Sequence, residues 1–174
     1  MKTSAAVAST VAMPAAVKPA FRTADFVTLT KPRLNFLVLI TTLAGMYIAA
    51  PQGVPLALLV HALVGTALVA GGAAALNQAW EHQTDSLMRR TRLRPIPGGR
   101  LRVADGTWFG TLLTSVGLIE LTWKVNPLAA AVAAATVVSY VFVYTPLKRV
   151  TSLCTLVGAI PGALPPLGGT ACSA

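Results

Sequence analysis

Asn77-Gln78-Ala79-Trp80-Glu81-His82-Gln83-Thr84-Asp85-Ser86-Leu87-Met88-Arg89-Arg90-Thr91-Arg92-Leu93-Arg94-Pro95 is the stretch on which the reading of the chain turns. It follows a long apolar run and holds two of the chain's five acidic residues. Read as a helix, it sets Asn77, Glu81 and Asp85 at i, i+4 and i+8. Those positions drift only about 40° per step and span roughly 12 Å, so the three share one face. An amide and two carboxylates on one face suit a hard cation such as Mg2+. That ion takes one or two carboxylates and fills its other positions with phosphate oxygens and water. The arginines that follow can fork onto phosphate oxygens. The spacing therefore admits a Mg2+–diphosphate site at the mouth of a membrane helix. It equally admits a solvated loop that fixes topology at a membrane boundary.

Outward from this stretch the chain is apolar. Its 174 residues amount to one domain or slightly more, 55% hydrophobic and only 11% charged. Soluble domains are about a quarter charged, so the composition is that of a membrane protein. Uncharged or nearly uncharged runs predict spans at residues 34–50, 54–76, 107–125 and 128–144, with a fifth opening near Ser152. Pro51-Gln52-Gly53 and Asn126-Pro127 read as tight turns, and residues 77–106 as a polar connector. Within that connector, Arg94-Pro95-Ile96-Pro97-Gly98-Gly99 is expected to end the helix. Gly65, Gly71 and Gly72 permit close helix contact. Gly158 to Gly169 is full of breakers, and a broken helix at membrane depth is tolerated only where it is buried or lines a cavity. The expected fold class is all-α: a polytopic transmembrane helical bundle with about five spans over residues 25–174. Residues 1–24 have the composition of a disordered tail.

The net charge of +9 and pI near 10.4 do not imply nucleic acid. All but one of the 14 Lys and Arg residues lie before the first span, in residues 77–106, or in residues 146–151; the exception is Lys124. The positive-inside rule then puts the tail and the polar connector in the cytoplasm. His61, inside the second span, reads as a hydrogen-bonded packing residue. Glu120 reads as snorkelling to the interface or pairing with Lys124 at i+4. Cys154 and Cys172 lack metal-ligand spacing and read as core thiols. No Walker-type loop, Ser-His-Asp pattern or internal repeat is present.

The acidic stretch resembles the first motif of the UbiA-type intramembrane prenyltransferases, N-x-x-x-D-x-x-x-D, with Glu81 in place of the generic Asp. Its continuation looks like one branch of that family, the protoheme IX farnesyltransferases (haem O synthases), whose pattern is D-x-x-M-x-R-T-x-x-R-P-x-x-x-G-R. Asp85, Met88, Arg90, Thr91, Arg94, Pro95, Gly99 and Arg100 all match. Leu29-Thr30-Lys31-Pro32-Arg33, Tyr144-Thr145-Pro146-Leu147-Lys148-Arg149 and the Gly158–Gly169 run are also similar to that branch.

The resemblance implies transfer of the farnesyl group of farnesyl diphosphate to protoheme IX (haem B), making haem O and releasing diphosphate. It implies Asn77, Glu81 and Asp85 holding Mg2+ on the diphosphate. Arg89, Arg90, Arg94, Arg100 and Lys31 would neutralise the diphosphate charge. Met88, Thr91, Pro95, Tyr144, Lys148 and Arg149 would support the motif. The haem-binding residue is unknown; His61 and His82 are its candidates. The partners implied are farnesyl diphosphate, protoheme IX, the lipid bilayer and haem-pathway or oxidase-assembly proteins, in a bacterial inner membrane. Two alternatives stand beside this: a UbiA-type enzyme with an aromatic acceptor, and a non-catalytic membrane protein or incomplete fragment. The resemblance runs from about Asp25 to Gly169 but covers only the first half or so of the family pattern. A chain truncated at its C-terminus, without the second acidic motif, is therefore the expectation.

Overall fold

A computed structural model describes residues 23–148 and 154–173, and every regular element in them is helical. Helices α1 (Thr23–Leu29) and α2 (Pro32–Ala49) meet at a corner on Lys31; α3 (Leu56–Leu87) and α4 (Val103–Lys124) follow. α5 (Pro127–Val138) runs on through a π-helical turn (Ser139–Tyr144) into a last α-turn, α6 (Thr145–Leu147), and α7 (Cys154–Ser173) closes the described part. The predicted tail and Arg149 lie outside the described residues, except that α1 already begins at Thr23.

The boundaries follow local chemistry. Pro32 occupies the first turn of α2, where its missing N–H leaves nothing unpaired. Gly53 takes φ 100° in the α2–α3 turn, a conformation that side chains disfavour. Asn126 caps α5 by accepting from the amides of Leu128 (2.6 Å) and Ala129 (3.4 Å), with Pro127 behind it. Its own side-chain amide donates to the Ala171 carbonyl at 3.0 Å, pinning α5 to α7.

Three helices are long and apolar enough to cross a membrane among the described residues: Pro32–Ala49, Leu56–Leu87 and Pro127–Leu147. Helices α4 and α7 pack into the same bundle. Neighbour follows neighbour in a closed ring, α3 to α4, α4 to α5, α5 to α7, α7 to α2 and α2 back to α3. The outer surface is apolar: Ile48, Trp108 and Trp123 are 77–80% exposed, which only a lipid solvent accommodates. The fold is thus a polytopic all-α membrane bundle.

Two expectations are corrected. The stretch after Leu76 is helical, as expected, but that helix is shorter than expected. At 32 residues α3 is about 48 Å long, well beyond a bilayer core of about 30 Å, so its polar end stays helical to Leu87. That helix stops before the arginines, not at Arg94-Pro95. Met88 is extended (φ −94°, ψ 128°), and the Thr91 hydroxyl takes up the Asp85 carbonyl at 2.8 Å. Nor does α7 break: Pro161, Pro165 and Pro166 sit inside a continuous helix. Neighbouring helices support such a helix, and the Thr42 hydroxyl of α2 bonds its Pro165 carbonyl at 3.4 Å.

Glycine sets the closest crossings. A Cβ on Gly72 would stand 2.6 Å from the Gly110 carbonyl oxygen, and one on Gly117 would stand 2.8 Å from that of Gly65. On α7, a Cβ on Gly169 would lie 3.0 Å from the Met46 amide of α2. Gly162, by contrast, has open space around it. Gly72→Leu is therefore expected to lower the unfolding free energy in detergent by about 2 kcal/mol or more, since backbone cannot yield as a side chain can. Gly162→Ala should leave the unfolding midpoint unchanged. Equal midpoints for both variants would contradict this packing.

Candidate functional site

The ring of helices encloses a cavity of about 1140 Å3, walled by α2, α3, the α5–α6 helix and α7. Its charged end is built on the last three turns of α3. Asn77, Glu81 and Asp85 are each no more than 5% exposed, and all three line the cavity. Their spacing on one helix face thus has a physical counterpart: one polar wall.

Each of the three is held by a different segment. Glu81 receives Lys148, just past α6, at 2.8 Å and 3.1 Å on its two carboxylate oxygens. Asp85 receives Arg94 at 2.5 Å. Asn77 Oδ1 accepts from Lys31 Nζ (3.2 Å) and the Tyr140 hydroxyl (3.4 Å), and its amide donates to the Thr145 hydroxyl (2.9 Å). Thr145 donates in turn to the Tyr140 carbonyl at 2.8 Å, five residues back, across the π-helical turn. A π-turn re-aims the side chains it carries, and such turns are frequent at functional sites. Here it sets Tyr140 and Tyr144 in a stack, centroids 5.7 Å apart, on the cavity wall.

The loop from Met88 to Arg102 delivers Arg94. Pro95, Ile96 and Leu101 are buried; Ile96 and Leu101 pack with Leu29, Ala75 and Ala79. The Pro95 carbonyl accepts from Arg100 N (2.9 Å) and Leu101 N (3.0 Å), and Gly99 turns the chain at φ 72°. On the other side of this core, the Gln78 amide donates to the Leu29 carbonyl at 2.8 Å, locking α1 onto α3.

Lys31 sits at the start of α2 with φ 49°, a left-handed conformation that costs a non-glycine residue about 1–2 kcal/mol. Burial, and next the nearby Arg94 charge, pull its ammonium pKa from 10.5 down to about 8.

The other residues singled out in the sequence divide. Arg90, Met88, Thr91, Tyr144 and Lys148 line the cavity. Arg89 is exposed and does not line it. Arg100 is engaged elsewhere, with Asp25 at 2.9 Å and the Leu93 carbonyl at 3.1 Å. His82 bonds the Ala79 carbonyl of its own helix at 2.8 Å. His61 pairs with Glu120 at 2.6 Å. Glu120 therefore meets His61 rather than Lys124, because the Gly65–Gly117 crossing brings α3 and α4 together one turn away. Neither histidine lines the cavity. Sequence reasoning missed Tyr140 and Thr145. Tyr140 stands one helical turn before Tyr144, and Thr145 lies inside the Tyr144–Arg149 run, so both were within reach of the signal.

Glu81 and Asp85 offer four carboxylate oxygens about one turn apart. Among the described residues no group of three or more His, Cys, Asp or Glu could hold an ion unaided. The donor set fits a Mg2+-like cation that arrives with its own phosphate oxygens, and not a resident structural ion.

Residues 38–174 match the UbiA prenyltransferase family. The protoheme IX farnesyltransferase of Solibacter usitatus is 44% identical, across 86% of this chain and 54% of that protein. Those of Myxococcus xanthus and Legionella pneumophila are 48% and 43% identical, each across 83% of this chain and 49% and 50% of the relative. The chain spans about half the length of the curated relatives it matches. No solved structure matches it.

A lowered pKa at Lys31 makes a signed prediction. Between about 8 and 10.5 the unfolded chain holds a proton that the folded one has lost, so stability should rise with pH across that window. Below pH 8 the cost of burying the charged amine is fully present. Lysine side-chain NMR should show Lys31 titrating near pH 8, and Lys31→Met should flatten the rise. A midpoint at 10.5 would contradict the burial of this group.

Proposed function

The chain belongs to the UbiA prenyltransferase family, and on that footing we propose that it serves the transfer of a farnesyl group from farnesyl diphosphate to protoheme IX, giving haem O and diphosphate. The observation that carries the reading is the polar wall of the cavity: two buried carboxylates and an amide on one helix face, with Lys31, Arg90, Arg94 and Lys148 around them. The names of the relatives supply the donor and the acceptor. The preferred orientation puts this wall toward the cytoplasm of a bacterial inner membrane, supported by the asymmetry of Lys and Arg. Residues 25–174 act as the prenyltransferase domain.

Asn77, Glu81 and Asp85 are the residues that would hold Mg2+, which when bound neutralises diphosphate charge and supports its departure. Lys31, Arg90, Arg94 and Lys148 bind the diphosphate oxygens. Lys31, Arg94 and Lys148 also contact the residues of the wall, so binding is an exchange. Arg94 and Lys148 leave Asp85 and Glu81 for phosphate oxygens, and the carboxylates are freed for the cation. As the allylic carbon–oxygen bond breaks, its electron pair leaves on the diphosphate, whose growing charge these fixed cations stabilise. A carbon of the haem vinyl group bonds to the farnesyl C1. Water then adds its hydroxyl to the other vinyl carbon and releases a proton. The apolar walls keep water from the allylic carbon until the acceptor is in place.

Membranes holding this chain are expected to convert farnesyl diphosphate and protoheme to haem O, read by chromatography and mass. Asp85→Asn should lower turnover at least a hundredfold. Product formed from 4-hydroxybenzoate instead of protoheme would replace this reading with an aromatic acceptor. Undiminished turnover in Asp85→Asn would remove the polar wall from the chemistry.

A further inference from the structure

Beneath the polar wall the cavity is apolar and does not stop at its own floor. Val38, Ala70, Ala73, Thr136 and Pro165 are shared with a second, smaller chamber of about 50 Å3. That is room for about four water-sized groups, close to the bulk of one isoprene unit. Its far end is closed by Leu121, Ala129 and Cys172. Leu121 comes from α4, the one long helix with no part in the main cavity, and reaches through because α3 carries Gly65 there. A Cβ on Gly65 would stand 2.7 Å from Leu121 Cγ. Leu121 is 1% exposed and Cys172 4%, so the end is packed shut.

Helix α3 gives the depth. From Asn77, the wall passes down to Ala73 and Ala70 and reaches Thr66 in the second chamber. At 1.5 Å per residue that is about 16 Å. An extended isoprenoid has four carbon–carbon bonds of about 1.5 Å per unit, so three staggered units reach about 15 Å and four about 20 Å. A tail of three units ends inside the second chamber, whereas a fourth meets Leu121.

We propose that Leu121, with Ala129 and Cys172, forms the stop of a molecular ruler that limits the prenyl donor to three isoprene units. This rests on the diphosphate reading of the polar wall and adds what decides the length of the tail. The second chamber receives the last isoprene unit, and Ala133 on its side keeps the approach wide enough for branched carbons.

The test uses the whole chain in lipid nanodiscs with Mg2+, and geranyl, farnesyl, geranylgeranyl and inorganic diphosphate as probes. Farnesyl diphosphate is expected to bind at least tenfold more tightly than its C10 and C20 counterparts. Leu121→Ala should bring geranylgeranyl diphosphate to the farnesyl affinity, and Ala133→Leu should bring farnesyl diphosphate down to the geranyl affinity. A readout on the unsubstituted chain covers variants that fail to fold. Farnesyl diphosphate carrying a photoreactive diazirine at its tail should crosslink to Leu121, Ala129 or Cys172, located by peptide mass, and the geranyl analogue should not. Equal affinities for the three chain lengths, with no crosslink at Leu121, Ala129 or Cys172, would overturn the ruler while leaving the diphosphate site intact. If inorganic diphosphate and all three prenyl diphosphates fail to bind, the polar-wall reading falls and the ruler with it.

Discussion

Two carboxylates buried at the end of one helix, each paired with a cation from a different segment, are the constraint on which the rest of this site depends. A lone buried carboxylate is very costly, and removing one partner of a buried pair typically costs about 3–5 kcal/mol. Lys148 and Arg94 stay partly exposed, so the cost here is at the lower end. Even so, Glu81 and Asp85 dictate where two distant pieces of chain must go. The end of the α5–α6 helix must bring Lys148 to Glu81, and the loop after α3 must fold so that Arg94 reaches Asp85. The cavity is what remains enclosed when both conditions are met.

The scaffold meets those conditions with small residues and one irregular turn. Glycines at the α3–α4 crossings bring backbones together and free the opposite face of α3 for the cavity. The π-helical turn lets Tyr140 and Thr145 both reach Asn77, which a regular α-helix with its 100° step would not align in the same way. The loop is stiffened by its own small core around Ile96 and Leu101 and by the Arg100–Asp25 pair. Arg100 thus braces the loop that presents Arg94.

Much of this was legible in the sequence, and what was not has physical reasons. Asn77, Glu81 and Asp85 could be placed on one face because a helix has a fixed period. The bundle could be read because 55% of the chain is hydrophobic and its runs have membrane length. The end of α3 was placed too late, at Arg94-Pro95, because proline and glycine are visible breakers, whereas the extended turn at Met88 rests on Thr91 reaching back to the Asp85 carbonyl. The prolines of α7 read as a break because each removes an N–H from the helix ladder, and the packing against α2 and α5 that holds this helix is distant in sequence. The partner of Glu120 was misread for a similar reason. Position i+4 is visible in a sequence, but a glycine crossing that sets His61 beside it is visible only in three dimensions.

The central claim is that the wall exchanges partners: its cations for diphosphate, its carboxylates for a divalent cation. Calorimetry of Mg2+ and inorganic diphosphate, each alone and then together, tests it on the whole chain. The account predicts weak binding of either alone and at least tenfold tighter binding of each in the presence of the other, about 1.4 kcal/mol of coupling. In Arg94→Met, where Asp85 has lost its partner, Mg2+ alone should bind more tightly while diphosphate binds more weakly. If Arg94→Met leaves Mg2+ affinity unchanged, the carboxylates are not held in reserve by their cations, and the account is wrong.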